Sequence, residues 1–589
     1  MNIELKERRI IIIDFEVLSK AKFWLCSMKD VKTEAEHTVI YNSEELKRIY
    51  NKNKNAIWVG YNIKGYDQWI FKSILAGENP YEVSESIIDK KLNPWDINPK
   101  LNKIPLNFFE LGLKDKSLKE LELFMGESIE ESSIPFDLPR FPTKEEIEEL
   151  ARYCKHDVRM TYKVFQELRK SFDSRAFLID YFGFKDFYFK KTDAQFTAAT
   201  LGAKKPLEPR NDEFDFRIID CISLDKYQYI LDWYKNPMNK DYSKSLTANV
   251  YGSIVEFGWG GLHSAKKQYK GEGLFVNSDV SSYHPSNMIE NNFLSRNIAD
   301  ASKYVNIKKT RLEFKASKNP WEKPFKDVLN ITYGSMKDPS NELYDPQMAN
   351  AVCVNGQLML LDLIEKVENR FGSNAEFIQG NTDGVMFKFN CKEDIDEYIK
   401  ICEDWSKRTK MELEHDFINK VIQKDVNNYA IVMNNGKVKS KGSYIKPLSY
   451  LDNDLPIVNK ALLNYLIDGV SIRKTIESSN NLIDFQKAVK VSSKYDNAIH
   501  NGKILNLKVL RVFASNNPQD GPVMKIKNGT QMKIGNTPDR AVIINKNIVG
   551  KTVPPNLDKE WYISLAEKRL EDFIPNSQYE YSLLDLLSM

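Results

Sequence analysis

Four consecutive isoleucines, Ile10 to Ile13, run straight into Asp14-Phe15-Glu16. A β-branched run that is apolar on both faces of its pleat fits only the interior of a sheet covered on both sides. It predicts a buried central strand whose C-terminal end carries two carboxylates. Further strands are expected over Lys22 to Met28 and Ala56 to Tyr61, ahead of a helix starting near Tyr66. Thr143 and Glu146 form a capping box, and behind it Ile147, Leu150, Cys154 and Val158 recur at spacings of three and four, as on one helix face. The N-terminal part therefore reads as an α/β domain that closes near Lys170.

At 589 residues the chain has room for about four folding units. The glycine cluster Gly258-Trp259-Gly260-Gly261 marks a sharp turn or a close backbone approach. Strands are expected at Leu274 to Asp279 and within Phe377 to Phe389, and helices near Lys303 to Ser317, Lys323 to Tyr333 and Met348 to Arg370. Beyond Pro447 no sharp motif stands out. Apolar runs such as Ile10 to Ile13 fall far short of the about 20 residues that span a bilayer, and the charged N-terminus shows no secretory pattern. A soluble cytoplasmic protein without membrane association is expected. Lys+Arg at 85 against Asp+Glu at 82 leaves +3, so bulk charge says nothing for nucleic-acid binding and local patterns must. Cys26, Cys154, Cys221, Cys353, Cys391 and Cys402 are scattered, without zinc-ligand spacing, which favours a reducing compartment.

Asp14 and Glu16 point to one face of their strand, with Phe15 on the other. Alone, such a pair is more readily a solvated strand end. Two further segments change its meaning: Asn62-Ile63-Lys64-Gly65-Tyr66-Asp67 leads from a strand into a helix, and Tyr153 and Asp157 stand four apart on one helix face. Carboxylates suit hard divalent cations, and two ions about 4 Å apart can stabilise both the attacking and the leaving oxygen of phosphodiester cleavage. Asp14, Glu16, Asp67 and Asp157 are the expected ligands, with Tyr153 orienting the attacking water.

A second acidic group lies downstream. Asp279 ends a strand before the Pro285-marked turn, and Gln379-Gly380-Asn381-Thr382-Asp383-Gly384 puts an Asp at a hairpin tip. Between them Lys326, Asn330 and Tyr333 share one helical stripe, with Gly334 thinning its end. Cation, amide and aromatic on one face suit the phosphates and base of a nucleoside triphosphate. Arg311 and Lys315, also four apart, can add positive charge; a solvated surface stripe is the plainer alternative for both sets.

In order and spacing, D-x-E, N-x-x-x-Y-D and Y-x-x-x-D resemble the three motifs of the DnaQ-like 3′-to-5′ proofreading exonuclease domain, across residues 8 to 165. The later set resembles family B DNA polymerases: Asp279 to Ser286 their motif A, Lys326 to Gly334 their motif B, Asn381 to Gly384 their motif C. Gly260-Gly261 resembles the end of that family's Y-x-G-G hinge, and Lys439-Ser440-Lys441-Gly442 its K-x-K-G element, with Lys437 extending a cationic ridge suited to phosphates. The resemblance implies an α/β and α+β multidomain chain of the compact bacteriophage type. An RNase H-like exonuclease domain would occupy 1–172, followed by a right-hand polymerase: palm and hinge over 173–287, fingers over 288–340, palm again over 341–446, thumb over 447–589.

The resemblance also implies roles. Asp279 and Asp383, with Val280, would hold two Mg²⁺ ions, and the four N-terminal carboxylates another two, with Mn²⁺ as an alternative. Tyr283 and His284 fall at the position that selects the sugar. Asn62, Gly260, Gly261, Thr382, Lys437, Lys439, Lys441 and Gly442 would face DNA. The implied partners are primer-template DNA, deoxynucleoside triphosphates and replication accessory proteins, for a monomer in a host bacterial cytoplasm. Three positions depart from the pattern: Asn381 replaces an Asp, Tyr283-His284 replaces Leu-Tyr, and Gly258 replaces Tyr. Two other readings stand beside this one, a 3′-to-5′ exonuclease with a decayed palm and a catalytically silent nucleic-acid-binding factor. The gaps from Asp279 to Lys326 and from Gly334 to Asn381 are too short for the extra subdomains of protein-primed members, so a nucleic-acid primer is expected, with partners needed for long synthesis.

Overall fold

A computed structural model describes residues 5–574, and the chain divides into two compact units. The first comprises Met1–Thr192, Leu448–Pro456 and Asn480–Asp558; the second comprises Asp193–Pro447, Ile457–Ser479 and Lys559–Met589. The motif-poor stretch after Pro447 is thus shared between the units.

The first unit is built on a five-stranded sheet in which the isoleucine run is central. Strand β1 (Ile10–Leu18) pairs antiparallel with β2 (Phe23–Asp30), and β2 with β3 (Glu36–Ile40). On its other side β1 runs parallel to β4 (Ile57–Gly60), which runs parallel to β5 (Phe108–Glu110). The β1–β4 ladder covers only Ile10–Ile12 opposite Ile57–Val59, so the two strands part just before Asp14. Helix α1 (Asp67–Ala76) starts beyond that split, and Trp58, Trp69 and Phe71 pack with Phe15 in the core beneath it. Helix α3 (Lys144–Glu167) packs on β1 and β2, and the short α2 (Leu118–Phe124) packs in turn on α3. The Thr143–Glu146 capping box starts α3 as the sequence predicts, and Leu150, Cys154 and Val158 are buried.

The second unit holds a nine-stranded antiparallel sheet in the order β14-β13-β12-β9-β11-β10-β8-β7-β6. Its members are β6 (Leu246–Val250), β7 (Ser253–Phe257), β8 (His263–Ala265), β9 (Tyr269–Val280), β10 (Ala375–Asn381), β11 (Gly384–Phe389), β12 (Leu413–Asp425), β13 (Asn428–Met433) and β14 (Val438–Lys441). Alternation along β9 sends Ser278 to the Tyr398 hydroxyl, 2.7 Å away on the helix Lys392–Thr409, and leaves Asp279 on the opposite face. After β9 come α4 (Tyr283–Glu290), α5 (Ser302–Ala316) and α6 (Glu322–Ser335), and then α7 (Pro346–Phe371), a 26-residue helix buried along most of its length. Helices α4 and α5 occupy the stretch from Asp279 to Lys326, and α7 most of that from Gly334 to Asn381.

The C-terminal segment of the first unit adds two small sheets. One contains β15 (Lys487–Lys490), β18 (Val509–Ala514) and β21 (Ala541–Ile543); the other β16 (Asn497–His500), β17 (Lys503–Leu505), β19 (Met524–Lys527) and β20 (Thr530–Lys533). Val509 and Leu451 join Leu121, Leu123, Phe124 and Val164 in one apolar cluster, which is why this segment belongs with the N-terminal sheet. No helix of the described residues is long and apolar enough to cross a membrane.

Helix α7 passes so close to α4 that a Cβ on Gly356 would stand 1.5 Å from the Tyr283 hydroxyl. Only a glycine leaves room for the hydroxyl end of that ring against the helix. Gly356→Ala should therefore lower the unfolding free energy by about 1–3 kcal/mol through overpacking. Adding Tyr283→Phe, which removes the clashing oxygen, should recover part of the loss; urea titrations of the single and double variants read both.

Candidate active sites

In the first unit, Asp14 and Glu16 leave β1 on one face and meet Asp157 from α3. One carboxylate oxygen from each of the three lies within 4.8 Å of the others. Asp67, the first residue of α1, accepts the Phe15 amide at 3.2 Å and so sits against β1 between the two. Burial, then the charges of Asp67, Glu16 and Asp157, push the Asp14 carboxyl well above the usual range. Burial and Asp157 do the same to Glu16, and burial pushes Asp67 up to about 7. Tyr153 is buried one turn before Asp157, and burial with that same charge raises its hydroxyl. The sequence-predicted set is therefore brought together. All-oxygen ligands under mutual repulsion are the donor set and the charge that a divalent cation complements.

Two residues of this site carry no sequence signal that marked them. Lys119 on α2 puts its ammonium 2.6 Å from Asp157 Oδ1 and 3.1 Å from Glu122 Oε1. Burial alone would lower that ammonium, but Asp157 and Glu122 outweigh it and hold it charged. The Ser117–Glu120 capping box locates the helix but does not distinguish Lys119 within it. Glu110, at the end of β5, accepts the amides of Asn62 and Lys64 at 2.8 Å each and that of Gly112 at 2.5 Å. It thus pins the loop that leads to Asp67, in which Asn62 adopts a left-handed φ of 64°.

In the second unit, Asp279 lies opposite Gly384 on β11 and Glu414 on β12, and the Val280 amide donates to the Asp383 carbonyl at 2.7 Å. One Asp279 oxygen accepts Asn277 Nδ2 at 2.8 Å, while Oδ1 is buried without a hydrogen-bond partner. A Cβ at Gly384 would stand 2.0 Å from that oxygen, so glycine is what leaves it room. Burial and Asp383 push Asp279 up to about 6; burial raises Asp383, opposed by Lys441 and Lys326. An orphaned, buried carboxylate oxygen beside a second carboxylate fits a cation. Asn381 Oδ1 accepts the Asp383 amide at 3.0 Å and closes the hairpin turn. A Cβ on Gly261 would lie 2.1 Å from Thr382 Oγ1, so the glycine pair runs against this turn, held there by Gln357, which donates to the Gly258 and Gly260 carbonyls at 2.8 and 2.7 Å.

Along α6, Lys326 and Asn330 are exposed and Tyr333 half-buried, on one stripe as predicted. His284 stacks on the Tyr333 ring, centroids 3.9 Å apart and planes at 14°, and burial with Lys337 lowers its pKa to about 4, so it is neutral. Lys337 Nζ also lies 4.9 Å from the Tyr333 centroid; its spacing of four from Tyr333 would have found it. Tyr283 is buried against Gly356 instead of lining this face. Arg311 is engaged by Glu322 at 2.6 Å and by Ser282, and Lys315 by Glu414 at 2.9 Å. On β14, Lys439 pairs with Asp416 at 2.6 Å and Lys441 is exposed, as is Lys437 just before the strand. Gly442 takes a φ of 112° against Asn428.

No protein-family model and no curated protein matches the chain. Among solved structures it is similar to the family B DNA polymerase from the hyperthermophilic archaeon Pyrobaculum calidifontis, with a TM-score of 0.42 and 14% identity, over 98% of this chain and 79% of that one.

A carboxyl that titrates higher folded than unfolded costs stability at every pH above its unfolded value. For Asp279, moved from 3.8 to about 6, the cost is absent in acid and complete above about pH 7. In chelator, Asp279→Asn should raise the unfolding free energy by about 1–3 kcal/mol at pH 8 and leave it unchanged near pH 3.5. Saturating Mg²⁺ should stabilise the unsubstituted protein and close the gap, as read by denaturant titration at each pH.

Proposed function

We propose that the chain is a DNA-directed DNA polymerase that carries its own 3′-to-5′ exonuclease, the first unit degrading and the second extending. The observation that supports this most is the pair of separate buried carboxylate sites, the second under the positive charge of Lys441 and Lys326. Asp279, Asp383 and the main chain at Val280 would hold Mg²⁺, or Mn²⁺, in the extending site; Asp14, Glu16, Asp67 and Asp157 would do so in the degrading one. Bound there, the ions would lower the pKa of the attacking hydroxyl or water and neutralise charge on the leaving oxygen.

In extension, a bond forms between the primer 3′ oxygen and the α-phosphorus, and the α–β bond breaks to release pyrophosphate. Lys326 and Asn330 hold the triphosphate, and Tyr333, backed by His284, stacks beneath the base and sugar. Lys441 and the exposed Lys437 meet the phosphate backbone of primer and template, with Thr382 and the Gly260-Gly261 turn beside the primer end. In degradation, a water oxygen joins the terminal phosphorus and the 3′ oxygen of the preceding nucleotide leaves. Tyr153 orients that water, and Lys119 holds Asp157 in place and offsets one of the crowded charges. Asn381 fits an intact palm, because the turn that presents Asp383 needs only an acceptor at its first position.

Asp383→Ala should abolish nucleotide addition and leave 3′-end degradation within about twofold, while Asp14→Ala with Glu16→Ala should do the reverse. Primer extension with deoxynucleotides and degradation without them, on one labelled primer-template, separate the two. Loss of both activities in either folded variant would contradict two independent sites.

His284 is the bulk at the sugar position, so His284→Ala should lower the preference for deoxy- over ribonucleotides by about tenfold or more in kcat/KM. An unchanged ratio would place sugar selection on another residue.

A further inference from the structure

Arg511 lies on β18 in the C-terminal segment of the first unit, and its guanidinium is wholly buried. It donates to Gln486 Oε1 at 3.1 Å and to the carbonyls of Ile544 at 3.2 Å and Lys546 at 2.8 Å. Its remaining nitrogen donates to the carbonyls of Glu122 at 3.2 Å, Leu123 at 3.0 Å and Glu127 at 2.7 Å. Glu122 and Leu123 belong to the last turn of α2, and Glu127 follows it. A helix C-terminus leaves carbonyls without intrahelical donors and carries partial negative charge, so a buried cation there satisfies both needs.

The C-terminal segment holds α2 at other points as well. Lys490 on β15 pairs with Glu120 at 2.6 Å, Gln486 donates to the Phe124 carbonyl at 3.1 Å, and the Ile129 amide donates to the Asn545 carbonyl at 2.8 Å. Helix α2 has seven residues, too few to be stable alone, so its position is set by what grips it. It is the helix that brings Lys119 to Asp157.

We infer that Arg511 is a positioning residue of the N-terminal acidic site, fixing the end of α2 so that Lys119 stays on Asp157, and that Asn480–Asp558 therefore serves the degrading site. This rests on the exonuclease reading above. It predicts that a substitution far along the chain slows degradation without touching extension. A one-ångström displacement of a site residue is enough to cost about 100-fold in rate.

The test uses the full chain with Mg²⁺ and four variants: Arg511→Ala, Arg511→Lys, Lys119→Met, and Arg511→Ala with Lys119→Met. Arg511→Ala should degrade about 10- to 100-fold more slowly and extend normally, and millimolar guanidinium should restore part of the loss. The double variant should be no slower than Lys119→Met alone, because Arg511 acts through that lysine. Arg511→Lys should recover part of the rate. Hydrogen exchange of the 118–127 amides should quicken in Arg511→Ala and slow again with guanidinium. Multiplicative losses in the double variant, unaltered degradation or exchange in Arg511→Ala, or loss of both activities that guanidinium does not restore would each overturn the inference. An unsubstituted chain that degrades no 3′ ends would instead sink the exonuclease reading, and the exchange measurement would still decide whether Arg511 positions α2.

Discussion

Like charges forced together out of water are the constraint around which this molecule is arranged. Two carboxylates about 4 Å apart repel by about 4 kcal/mol at the effective dielectric of a protein site. The first unit crowds Asp14, Glu16 and Asp157 within 4.8 Å and adds Asp67 beside them. Such a cluster persists only if backbone and neighbours leave it no other arrangement. Here the neighbours are specific: the Phe15 amide on Asp67, Lys119 on Asp157, and Glu110 on the loop before Asp67. Each is a directional contact made by a rigid element, so repulsion is stored in the site and remains available to a cation.

The two units solve the same problem with different backbones. In the first, a parallel pair of strands splits after Ile12 and Val59, and the opening beyond the split receives acids from β1, α1 and α3. In the second, an antiparallel hairpin delivers Asp383 at its tip beside Asp279 on the neighbouring strand, and the register puts Gly384 directly opposite. The first arrangement draws on four acids from three elements, the second on one acid from a strand and one from the neighbouring hairpin turn. That difference explains why a glycine, Gly384, stands directly against Asp279 in one site, whereas in the other the glycine against a carboxylate, Gly112, faces Glu110 on the supporting loop.

What the sequence made legible follows from locality. The isoleucine strand, the capping box before α3, the hairpin around Asp383 and the stripe on α6 are all signalled by residues within one or two turns of each other, and all of them stand where expected. The acids were readable because each lies within or beside such an element, at a spacing that the element's own period explains. Lys119 was not, since its partner Asp157 is 38 positions away and nothing in the Leu118–Phe124 helix distinguishes it from a surface lysine. Tyr283 and His284 are adjacent and alike in sequence, yet Gly356 on α7 decides which is buried, and that choice is tertiary. Arg511 is the extreme case. It is 388 positions from Leu123, and a lone arginine in an apolar strand announces only that some acceptor must exist.

The same arginine bears on how the chain comes together. Helix α2 lacks the length to hold itself, and its last carbonyls find their buried donors on a strand that is synthesised only after every strand of the nine-stranded sheet. The acids of β1, α1 and α3 lie early in the sequence, but the lysine that offsets them is not locked in place until Val509–Ala514 has paired. A chain interrupted before that point holds the carboxylates without the grip on α2. A chain that has the grip has already been given all the residues of the second acidic site. On the reading proposed here, sequence order makes removal of nucleotides depend on residues that follow the whole of the machinery for adding them.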